Sequence, residues 1–565
     1  MANWESFRVS DIVSAIDEEK YVLPVIQREL VWTEDKMELL FDSLLKGNSF
    51  GGIIVIEEDK DTKPLFASRN FTKDGNQLPS QNKEKLVQTQ YFVIDGQQRL
   101  QSFYIGLKGS YHGKSLFFDL FSDYKNDFDF EFEQDISALP KTTKEERPIK
   151  ECLWYSAKDL FKMLKDASDD RIVYKNIIQK NNINTDEKKE CIETNIHQFF
   201  INVISSKSIG IATIGIDKIS TTELENRQKI VELFRRLNDG GTKLSALDLV
   251  ASTLKGFDYR MEAFLRTMEE EFSDIGLTPE NLIKLIFLLQ DNHSKEMTSI
   301  EAADAEFAIQ NQERIKNVLV AVRIFLENAK LYDYYKNSNR SFIPLFFIAY
   351  HLFHKDVSDA KILEYWNDYE TSNVDFKPLQ SWIYNSLLNG VFRSKGAGWI
   401  PYKTGIRKIL SEIKNHKNKV FPTEDLFSIY VNHPIVYTSE YTTENLDKLD
   451  SQFVFYLIYD RKRTVRVNDI DHIMPKNILE SLNYGYNDIN SIKNFQLLDY
   501  GTNRGDKNGK PFADWVNNSE YVKDKQLYLT THLIPQNEDL WTEEKFIEFR
   551  NERAKLIVDK IKSYL

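Results

Sequence analysis

The chain has 565 residues, of which 41% are hydrophobic and 13% aromatic, with a formal net charge of −12 at pH 7. This length is too great for one hydrophobic core, so we expect roughly two to four domains, and the hydrophobic content excludes a disordered protein. The modest negative charge provides no overall basic surface, so contacts with nucleic acid have to come from local patches.

Cysteine usage and the terminal sequence indicate the compartment. Only Cys152 and Cys191 occur, and neither has paired-ligand spacing, which argues against a disulfide framework and a cysteine zinc site. The N-terminus lacks a basic region followed by an apolar one, and the most apolar window, residues 342–353, is too short to span a bilayer. We therefore expect a soluble cytoplasmic protein that does not bind a membrane.

Residues 1 to about 125 alternate strand and helix signals. The apolar residues from Met37 to Leu45 recur at helical spacing after Thr33, which is suited to an N-cap. β-branched and aromatic runs predict buried strands between the helices. The elements predicted after this first helix are a strand at 52–56, a strand at 91–94, a helix from Arg99 to Leu107 and a strand at 115–120.

The rest of the chain is mainly helical in pattern. Its predicted parts are a charged helical stretch at 121–205 with a loop at 133–150, a strand at 209–216, a helix ending at Gly240, helices from 258 to 450 and a closing helix at 542–564. Together these patterns predict an α+β fold. We expect an N-terminal α/β domain at 1–255, a helical domain at 256–450 and a C-terminal domain at 451–565.

One apparent phosphate-binding loop is set aside. The run Gly109-Ser-Tyr-His-Gly113-Lys114-Ser115 resembles a Walker loop, but it is one residue short between its glycines and precedes a strand-like run rather than a helix. A hairpin or surface turn is the expected structure.

The most specific chemical pattern is Asp469-Ile-Asp471-His472-Ile-Met-Pro475, with Asn503 further along the chain. Hydrolysis of a phosphodiester needs an activated water, a countercharge for the phosphate oxygens and stabilisation of the leaving 3′ oxygen. Asp471 and Asn503 offer hard oxygen ligands for Mg²⁺ or Mn²⁺, and His472 is a candidate base. Because adjacent strand residues point to opposite faces, Asp471 and His472 can serve one site only where their strand ends.

Residues 469–511 resemble the ββα-metal fold of HNH nucleases, including the HNH domain of CRISPR effector nucleases. The resemblance implies that Asp471 and Asn503 hold the metal ion. It also implies that His472 activates water and that Asn494 braces the loop that orients His472. The third letter of the family motif is Asn in this chain rather than His. The alternative interpretation of the same pattern is a capped turn with an incidental histidine.

Basic side chains flank this element and are candidates for contacts with DNA phosphates. They are Arg461, Lys462, Arg463 and Lys507. A solvated charged face is the alternative interpretation.

A second pattern lies near the N-terminus, where Ile94-Asp-Gly-Gln-Gln-Arg99 includes the end of a predicted buried strand. Gly96 lets backbone N–H groups approach an anion, the following helix N-terminus favours negative charge, and Arg99 can bind phosphate through two N–H groups. The alternative is a tight turn with Arg99 in a structural salt bridge. The candidate nucleotide-binding residues are Gln27, Arg28, Asp95, Gly96, Gln97, Gln98 and Arg99.

The motifs at 21–28, 51–55 and 94–99, with a later one at 234–245, follow one another in an order that resembles a known domain. This is the ParB-like domain of GmrSD-type modification-dependent restriction enzymes and of the phosphorothioate-sensing SspE proteins. The Asp-Gly-Gln-Gln-Arg motif of that family is associated with binding and hydrolysis of a nucleoside triphosphate, which the resemblance implies for this chain.

The two resemblances together predict a modification-dependent, nucleotide-regulated DNA endonuclease or nickase of anti-phage defence. Its expected partners are DNA, in particular modified phage DNA, and a nucleoside triphosphate, with Mg²⁺ or Mn²⁺ as cofactor. A single HNH site cuts one strand, so a double-strand break needs two successive nicks or two chains, as in a homo-oligomer. Two alternatives stay open: a nucleotide-switched DNA-binding regulator with a degenerate HNH element, and an RNA-directed HNH nuclease.

Overall fold

The computed structural model describes residues 3–565 except 49, 77, 145, 168, 217–221, 240–245, 293–299, 337, 339, 393–406, 430–440, 462–467, 500–501, 508 and 519. Contacts divide the chain into two compact units. The first comprises Met1–Ala263 and Glu296–Glu306, and the second comprises Phe264–Lys295 and Phe307–Leu565. Most of the helical middle therefore shares the second unit with the Asp-His element, and the three-part division at 255 and 450 stays a prediction.

The first unit is built around a mixed sheet. The strands of this unit are β1 (Asn3–Phe7), β2 (Tyr21–Pro24), β3 (Ile53–Glu58), β4 (Ser68–Arg69), β5 (Gln90–Asp95), β6 (Ser115–Asp119), β7 (Phe130–Glu133), β8 (Trp154–Ser156) and β9 (Ile209–Ile214). Six of these described strands form a sheet in the order β1-β9-β3-β5-β2-β4, in which β9 and β5 each have one parallel neighbour. The strands predicted near residues 53, 91, 115 and 209 are confirmed as β3, β5, β6 and β9.

A smaller antiparallel sheet, in the order β7-β6-β8, extends into the charged stretch for which the sequence predicts helices. That prediction is wrong for β7 and β8, and the α-helices of this stretch begin only at Ala157. In β7 the buried Phe130 and Phe132 alternate with partly exposed Glu131 and Glu133. This period of two favours a strand in spite of the charge.

Helices of the first unit pack against these sheets and against one another. They are α1 (Val9–Asp17), α2 (Glu34–Leu45), α3 (Gln97–Lys108), α4 (Ala157–Asp166), α5 (Asp170–Lys180), α6 (Asp186–Phe199), α7 (Glu223–Asp239), α8 (Ala246–Phe257) and α9 (Arg260–Phe272), the last of which continues into the second unit. The helix predicted after Thr33 is confirmed as α2, whose Met37 and Phe41 share one core cluster with Val55 and Val93 of the sheet. The helix end predicted at Gly240 lies outside the described residues.

The remaining elements belong to the second unit, except that α11 begins in the first unit and ends in the second, and most of them are helices. In chain order they are α10 (Pro279–Leu289), α11 (Ala302–Gln310), α12 (Gln312–Asn328), α13 (Tyr332–Tyr335), α14 (Ile343–Phe353), α15 (Asp359–Leu363), α16 (Phe376–Leu388), α17 (Arg407–Asn415), α18 (Thr423–Ser428), α19 (Ser451–Ile458), β10 (Asn468–His472), α20 (Lys476–Ser481), α21 (Tyr486–Ile489), β11 (Phe495–Asp499), α22 (Phe512–Asn517), α23 (Lys525–Thr531) and α24 (Phe546–Lys562). The mixture of helices and strands is compatible with the predicted α+β class. Across the described residues, no helix combines the length and the apolar character needed to cross a membrane.

Gly96 shows why a glycine is required between β5 and α3. Its φ of +88° lies in the left-handed region, and a Cβ atom there would stand 2.2 Å from the buried Ile53 Cδ1. We expect Gly96→Ala to destabilise the first unit by about 2–4 kcal/mol, since backbone strain costs about 1 kcal/mol and overpacking about 1–3 kcal/mol. Hydrogen exchange of the α3 amides measures this loss.

Gly113→Ala is the matched control for that substitution. Gly113 also has a positive φ, +84°, but nothing lies within 4 Å of the position that its Cβ atom would take. The control therefore carries the backbone strain without the contact with Ile53. Equal losses of protection in the two variants would contradict the steric explanation. The turn that contains Gly113, with a bridge between Tyr111 and Lys114, confirms that the Walker-like run is a surface turn.

Candidate functional site

A β-hairpin in the second unit carries the Asp-His pair. β10 pairs antiparallel with β11, so that Asp471 lies opposite Gln496 and His472 lies opposite Phe495. β10 ends at His472, and Pro475 directly precedes α20. The strand thus ends at the histidine, which is the condition under which neighbouring strand residues can serve one site.

Two donors hold the carboxylate of Asp471. Gln496 Nε2 donates to Asp471 Oδ2 at 2.8 Å, and the ammonium group of Lys507 donates to the same oxygen at 2.5 Å. Gln496 is completely buried, and its side-chain carbonyl accepts a hydrogen bond of 2.7 Å from Tyr528 Oη. Burial raises the pKa of Tyr528, which keeps its hydroxyl a donor. The chain Tyr528–Gln496–Asp471 therefore fixes the orientation of the carboxylate.

The imidazole of His472 is partly buried and is oriented by Asn490. His472 Nε2 lies 3.0 Å from Asn490 Oδ1, while Asn490 Nδ2 donates to Tyr486 O at 2.9 Å. The second bond turns the amide oxygen of Asn490 towards the imidazole, so Nε2 carries the proton and Nδ1 keeps its lone pair. Burial lowers the pKa of His472, although the bond to Asn490 and the charge of Asp471 oppose this, and the ring is neutral near pH 7.

Asn494 is fully buried and ties together the two sides of the loop beside His472. Its Oδ1 accepts a hydrogen bond of 3.0 Å from Met474 N, and its Nδ2 donates to Met474 O and Ile489 O, both at 3.2 Å. One side chain thereby holds Met474, two residues after His472, and Ile489, the residue before Asn490. This is the bracing position that the sequence predicts, and its effect on a reaction stays a prediction.

Asn503 and Lys507 lie in one π-helical turn, Thr502–Lys507, after β11. Such turns are rare and are frequent at functional sites. Asn503 is half-buried, whereas Lys507 is 2% exposed and donates to both Asp471 and the main-chain oxygen of His472. Burial lowers the pKa of Lys507, and the charge of Asp471 opposes this. Lys507 is therefore an internal cation here, not a surface group directed at a DNA phosphate.

The oxygen atoms around the Lys507 ammonium are of the kind that a hard divalent cation prefers. A carboxylate oxygen of Asp471 and the main-chain oxygen of His472 already converge on this positive charge. Mg²⁺ and Mn²⁺ bind such donors, and the amide oxygen of Asn503, four residues earlier in the same turn, would add a third. The donor set thus fits the predicted ion, provided that Lys507 shares or releases the carboxylate.

The other basic candidates are only partly described. The guanidinium carbon of Arg461 lies 4.3 Å from the centre of the Tyr564 ring, and the side chain is partly buried. Lys462 and Arg463 lie outside the described residues. Contacts of these side chains with DNA stay predictions.

The second candidate site is the Gly96 turn, the name used here for residues 95–99. Asp95 ends β5, Gly96 is the N-cap of α3, and Arg99 lies in the first turn of that helix. Arg99 Nη1 donates to Phe50 O at 2.8 Å, and Arg99 Nη2 lies 3.3 Å from Asp95 Oδ2. Burial lowers the pKa of Arg99, with the charge of Asp95 acting against it. The alternative of a structural salt bridge is thus present, although 47% of the Asp95 side chain remains exposed.

Two glutamines of the Gly96 turn hold the neighbouring segment 28–32. Gln97 Nε2 donates to Arg28 O at 2.7 Å, and Gln98 Nε2 donates to Glu29 O at 3.0 Å. Gln98 Oε1 accepts a hydrogen bond of 2.9 Å from Val31 N. Each side-chain amide donates one hydrogen bond to the main chain and so positions the segment that carries Arg28, while the role of Gln97 and Gln98 in nucleotide binding stays a prediction.

Gln27 and Arg69 hold the main chain at the start of that segment. Gln27 Nε2 donates to Val93 O at 2.9 Å and to Ile94 O at 2.6 Å. Arg69, which sequence analysis missed, is buried, donates to Gln27 O at 2.6 Å and pairs with Glu262 at 2.8 Å. Burial lowers the pKa of Arg69, and the charge of Glu262 opposes this effect. No motif contains Arg69, so only its position on β4 beside β2 could have indicated this role.

Comparison with known proteins gives a family match within the first unit. Residues 9–255 match the N-terminal domain of the GmrSD restriction endonuclease. This confirms the resemblance to a GmrSD-type N-terminal domain, and the matched range includes the Gly96 turn and segment 28–32. An uncharacterised protein of Methanocaldococcus jannaschii is 23% identical over 610 aligned positions, which cover 98% of this chain and 97% of that protein.

Proposed function

We propose that this chain is a metal-dependent DNA endonuclease of anti-phage restriction that responds to a nucleoside triphosphate and acts on modified DNA. The observation that carries the proposal is the hairpin site, defined as Asp471, His472, Asn490, Asn494 and Gln496. Here a neutral imidazole and an oriented carboxylate stand at the end of one strand. The match of residues 9–255 to the N-terminal domain of the GmrSD restriction endonuclease supports the restriction role.

Water activation is assigned to His472. Because Asn490 holds the Nε2–H group, the free lone pair is on Nδ1, and this atom takes a proton from the attacking water. The water oxygen forms its bond to phosphorus as the bond from phosphorus to the 3′ oxygen breaks. The negative charge of Asp471 favours the imidazolium that results.

Asp471 and Asn503 are the residues that would hold Mg²⁺ or Mn²⁺. When bound, such an ion supplies countercharge for the phosphate oxygens and stabilises the leaving 3′ oxygen. Gln496 and Tyr528 keep the carboxylate of Asp471 in one orientation, and Asn494 keeps the loop next to His472 in place.

The nucleoside triphosphate is assigned to the Gly96 turn, where we also place its hydrolysis. The N-terminus of α3 favours an anion, and Arg99 lies in its first turn. The guanidinium of Arg28 is half-buried and has no side-chain partner within the described part of the chain. Gln97 and Gln98 donate to the main-chain oxygens of Arg28 and Glu29. Arg28 would therefore supply a second cation beside the Gly96 turn.

Cleavage of purified DNA tests the proposed function. Supercoiled plasmid and base-modified phage DNA are incubated with Mg²⁺ or Mn²⁺, with and without each nucleoside triphosphate. We expect cleavage of the modified DNA at a rate that changes when a nucleotide is added. Equal cutting of both DNAs would contradict modification dependence. A cleavage rate that stays the same with every nucleoside triphosphate would contradict nucleotide regulation.

Arg28→Ala is expected to weaken nucleotide binding by about tenfold, because one charge-assisted hydrogen bond to phosphate is lost. The fold should remain intact, since the contacts of Arg28 given above involve its main-chain oxygen. Titration with fluorescent nucleotides measures the affinity. Arg171→Ala removes an arginine that is 69% exposed, and it serves as the control. If Arg28→Ala binds nucleotide as tightly as this control, the assignment of the phosphate site is wrong.

One observation favours a second function, a nucleotide-switched DNA-binding regulator. The ion pair between Lys507 and Asp471 places a cation of the protein itself where a metal ion is expected. In a regulator this pair would persist, and DNA would be bound without being cut. Retention of intact DNA on the protein at every Mg²⁺ and Mn²⁺ concentration would support this alternative.

A further inference from the structure

Three side chains that can bind a metal ion meet where α17 adjoins α18 in the second unit. Glu412 stands in the last turn of α17, His416 directly follows that helix, and Asp425 stands in the first turn of α18. One ligand atom of each residue lies within 4.8 Å of the others. These three residues are called here the His416 cluster. The cluster shares no residue with the hairpin site, so its role is independent of the proposed function.

A bond to the main chain fixes the tautomer of His416. Its Nδ1 lies 2.9 Å from the main-chain oxygen of Glu412, and because a carbonyl only accepts, Nδ1 carries the proton. On the other side of the ring, Nε2 lies 3.3 Å from Asp425 Oδ2. In the neutral ring Nε2 has a lone pair, so two electron-rich atoms face each other, and a second ring proton or a metal ion has to lie between them. Histidines that bind metal ions commonly donate their other ring N–H to a carbonyl in this way.

The charges of the cluster favour a divalent ion over a proton. Glu412 Oε1 and Asp425 Oδ2 each lie 3.3 Å from a ring nitrogen, and neither carboxylate has a lysine or arginine partner in the described part of the chain. The nearby Lys414 and Lys417 pair with Asp291 instead. A protonated imidazole would leave one negative charge without compensation, whereas a divalent ion beside a neutral imidazole balances both carboxylates. Glu412 also stands at the C-terminal end of α17, where the helix dipole disfavours a negative charge.

The spacing of the ligand atoms fits a small ion with four ligands. Zn²⁺ binds imidazole nitrogen and carboxylate oxygen at about 2.0–2.2 Å in tetrahedral geometry, so two neighbouring ligand atoms are about 3.3–3.6 Å apart. The 3.3 Å between His416 Nε2 and Asp425 Oδ2 matches this separation. Mg²⁺ and Ca²⁺ prefer oxygen ligands, whereas imidazole together with carboxylates suits Zn²⁺. Asp425 is exposed, so water has access to the fourth position.

We propose that the His416 cluster binds one Zn²⁺ ion through Glu412, His416 and Asp425, with water as the fourth ligand, and that this ion joins α17 to α18. Two of the ligands belong to the end of α17, and the third belongs to the start of α18. Binding therefore holds the two helix ends together across the connecting residues 417–422, and the free energy of binding adds to the stability of this part of the fold.

Co²⁺ is the probe for this site, because it replaces Zn²⁺ and absorbs visible light strongly when its ligands are tetrahedral. Untagged full-length protein is titrated with Co²⁺ in excess Mg²⁺, which occupies sites made only of oxygen ligands. We expect one equivalent of Co²⁺ to give the tetrahedral band and Zn²⁺ to abolish it. His416→Ala, Glu412→Gln and Asp425→Asn should each weaken Co²⁺ binding by at least about 100-fold, since even residues that only orient a ligand contribute about 10–100-fold.

His197→Ala and His472→Asn are the matched controls. His197 pairs with one carboxylate, Asp170, at 2.6 Å, but no third ligand joins this pair among the described residues, and His472 belongs to the hairpin site. Both variants should bind Co²⁺ as the wild type does. If His472→Asn loses the band while the three cluster variants keep it, the ion is bound at the hairpin site and the proposal is wrong. Loss of the band in His416→Ala alone would overturn the three-ligand site in favour of a single histidine ligand.

Hydrogen exchange of the peptides that cover α17 and α18 tests whether the ion joins the two helices. We expect Zn²⁺ to slow exchange in both helices of the wild type and to have no effect in Asp425→Asn, in which only an exposed side chain is changed. Zn²⁺ binding without slower exchange would overturn the joining role. A wild-type protein that binds neither Co²⁺ nor Zn²⁺ would overturn the site and identify a second proton on His416 as the positive centre.

Discussion

We expect His472→Asn to lower the rate of DNA cleavage by about 10²–10⁴-fold, the usual contribution of a general base. The imidazole is neutral near pH 7, and its Nδ1 is the atom left free by the bond between Nε2 and Asn490. Asparagine is similar in size but cannot take a proton from water. DNA affinity should be unchanged, because the proposed role of His472 is to accept a proton, not to hold phosphate. Single-turnover nicking of plasmid gives the rate, and anisotropy gives the affinity.

His112→Asn is the control for this substitution. His112 is exposed and has a φ of +48°, a conformation that asparagine tolerates well. The same chemical change is thereby made at a histidine outside the hairpin site. If both His472→Asn and His112→Asn nick the plasmid at the wild-type rate, His472 has no role in the reaction.

The second large effect concerns the stability of the hairpin site without metal. Asp471→Asn keeps an acceptor for Gln496 but removes the charge that balances the buried ammonium of Lys507. Breaking a buried ion pair in this way costs about 3 kcal/mol or more. We therefore expect the amides of β10 and β11 to exchange with solvent about 100-fold faster in EDTA, as measured by hydrogen exchange of the peptides that cover the two strands.

The double variant Asp471→Asn, Lys507→Met separates the charge effect from other damage. Replacement of both members of a buried pair by neutral groups is often harmless to stability, because no charge is left without a partner. We expect the double variant to recover most of the wild-type protection and to remain inactive, since Asp471 is the proposed metal ligand. If the amides of β10 and β11 exchange as fast in the double variant as in Asp471→Asn, the ion pair is not what stabilises the hairpin.

The sequence predicted the hairpin site in outline, because its Asp471, His472 and Asn494 stand at motif positions. It did not predict Gln496 and Asn490, which orient the carboxylate and the imidazole. Gln496 follows from the strand register, which pairs it with Asp471, and register is a property of two segments that no local pattern encodes. Asn490 reaches His472 across a loop whose path depends on packing.

The Gly96 turn shows a different limit of sequence analysis. The motif located the turn and the helix that follows it, and the left-handed conformation of Gly96 explains the glycine. The motif assigned Gln97 and Gln98 to the nucleotide, but it did not indicate that their amides also hold the main chain of segment 28–32. A glutamine that binds phosphate and one that holds a loop look alike in a sequence, since only the path of the neighbouring segment distinguishes them.

The measurement that tests the central claim most directly is an agarose assay of base-modified phage DNA with the wild-type protein and His472→Asn. Each protein is incubated with Mg²⁺, with Mn²⁺ and with EDTA, in the presence of a nucleoside triphosphate mixture. We predict that the wild type cuts the DNA only when a divalent ion is present and that His472→Asn leaves it intact. Cutting in EDTA, equal cutting by His472→Asn, or no cutting by the wild type under any condition would contradict the assignment of the hairpin site as a metal-dependent nuclease centre.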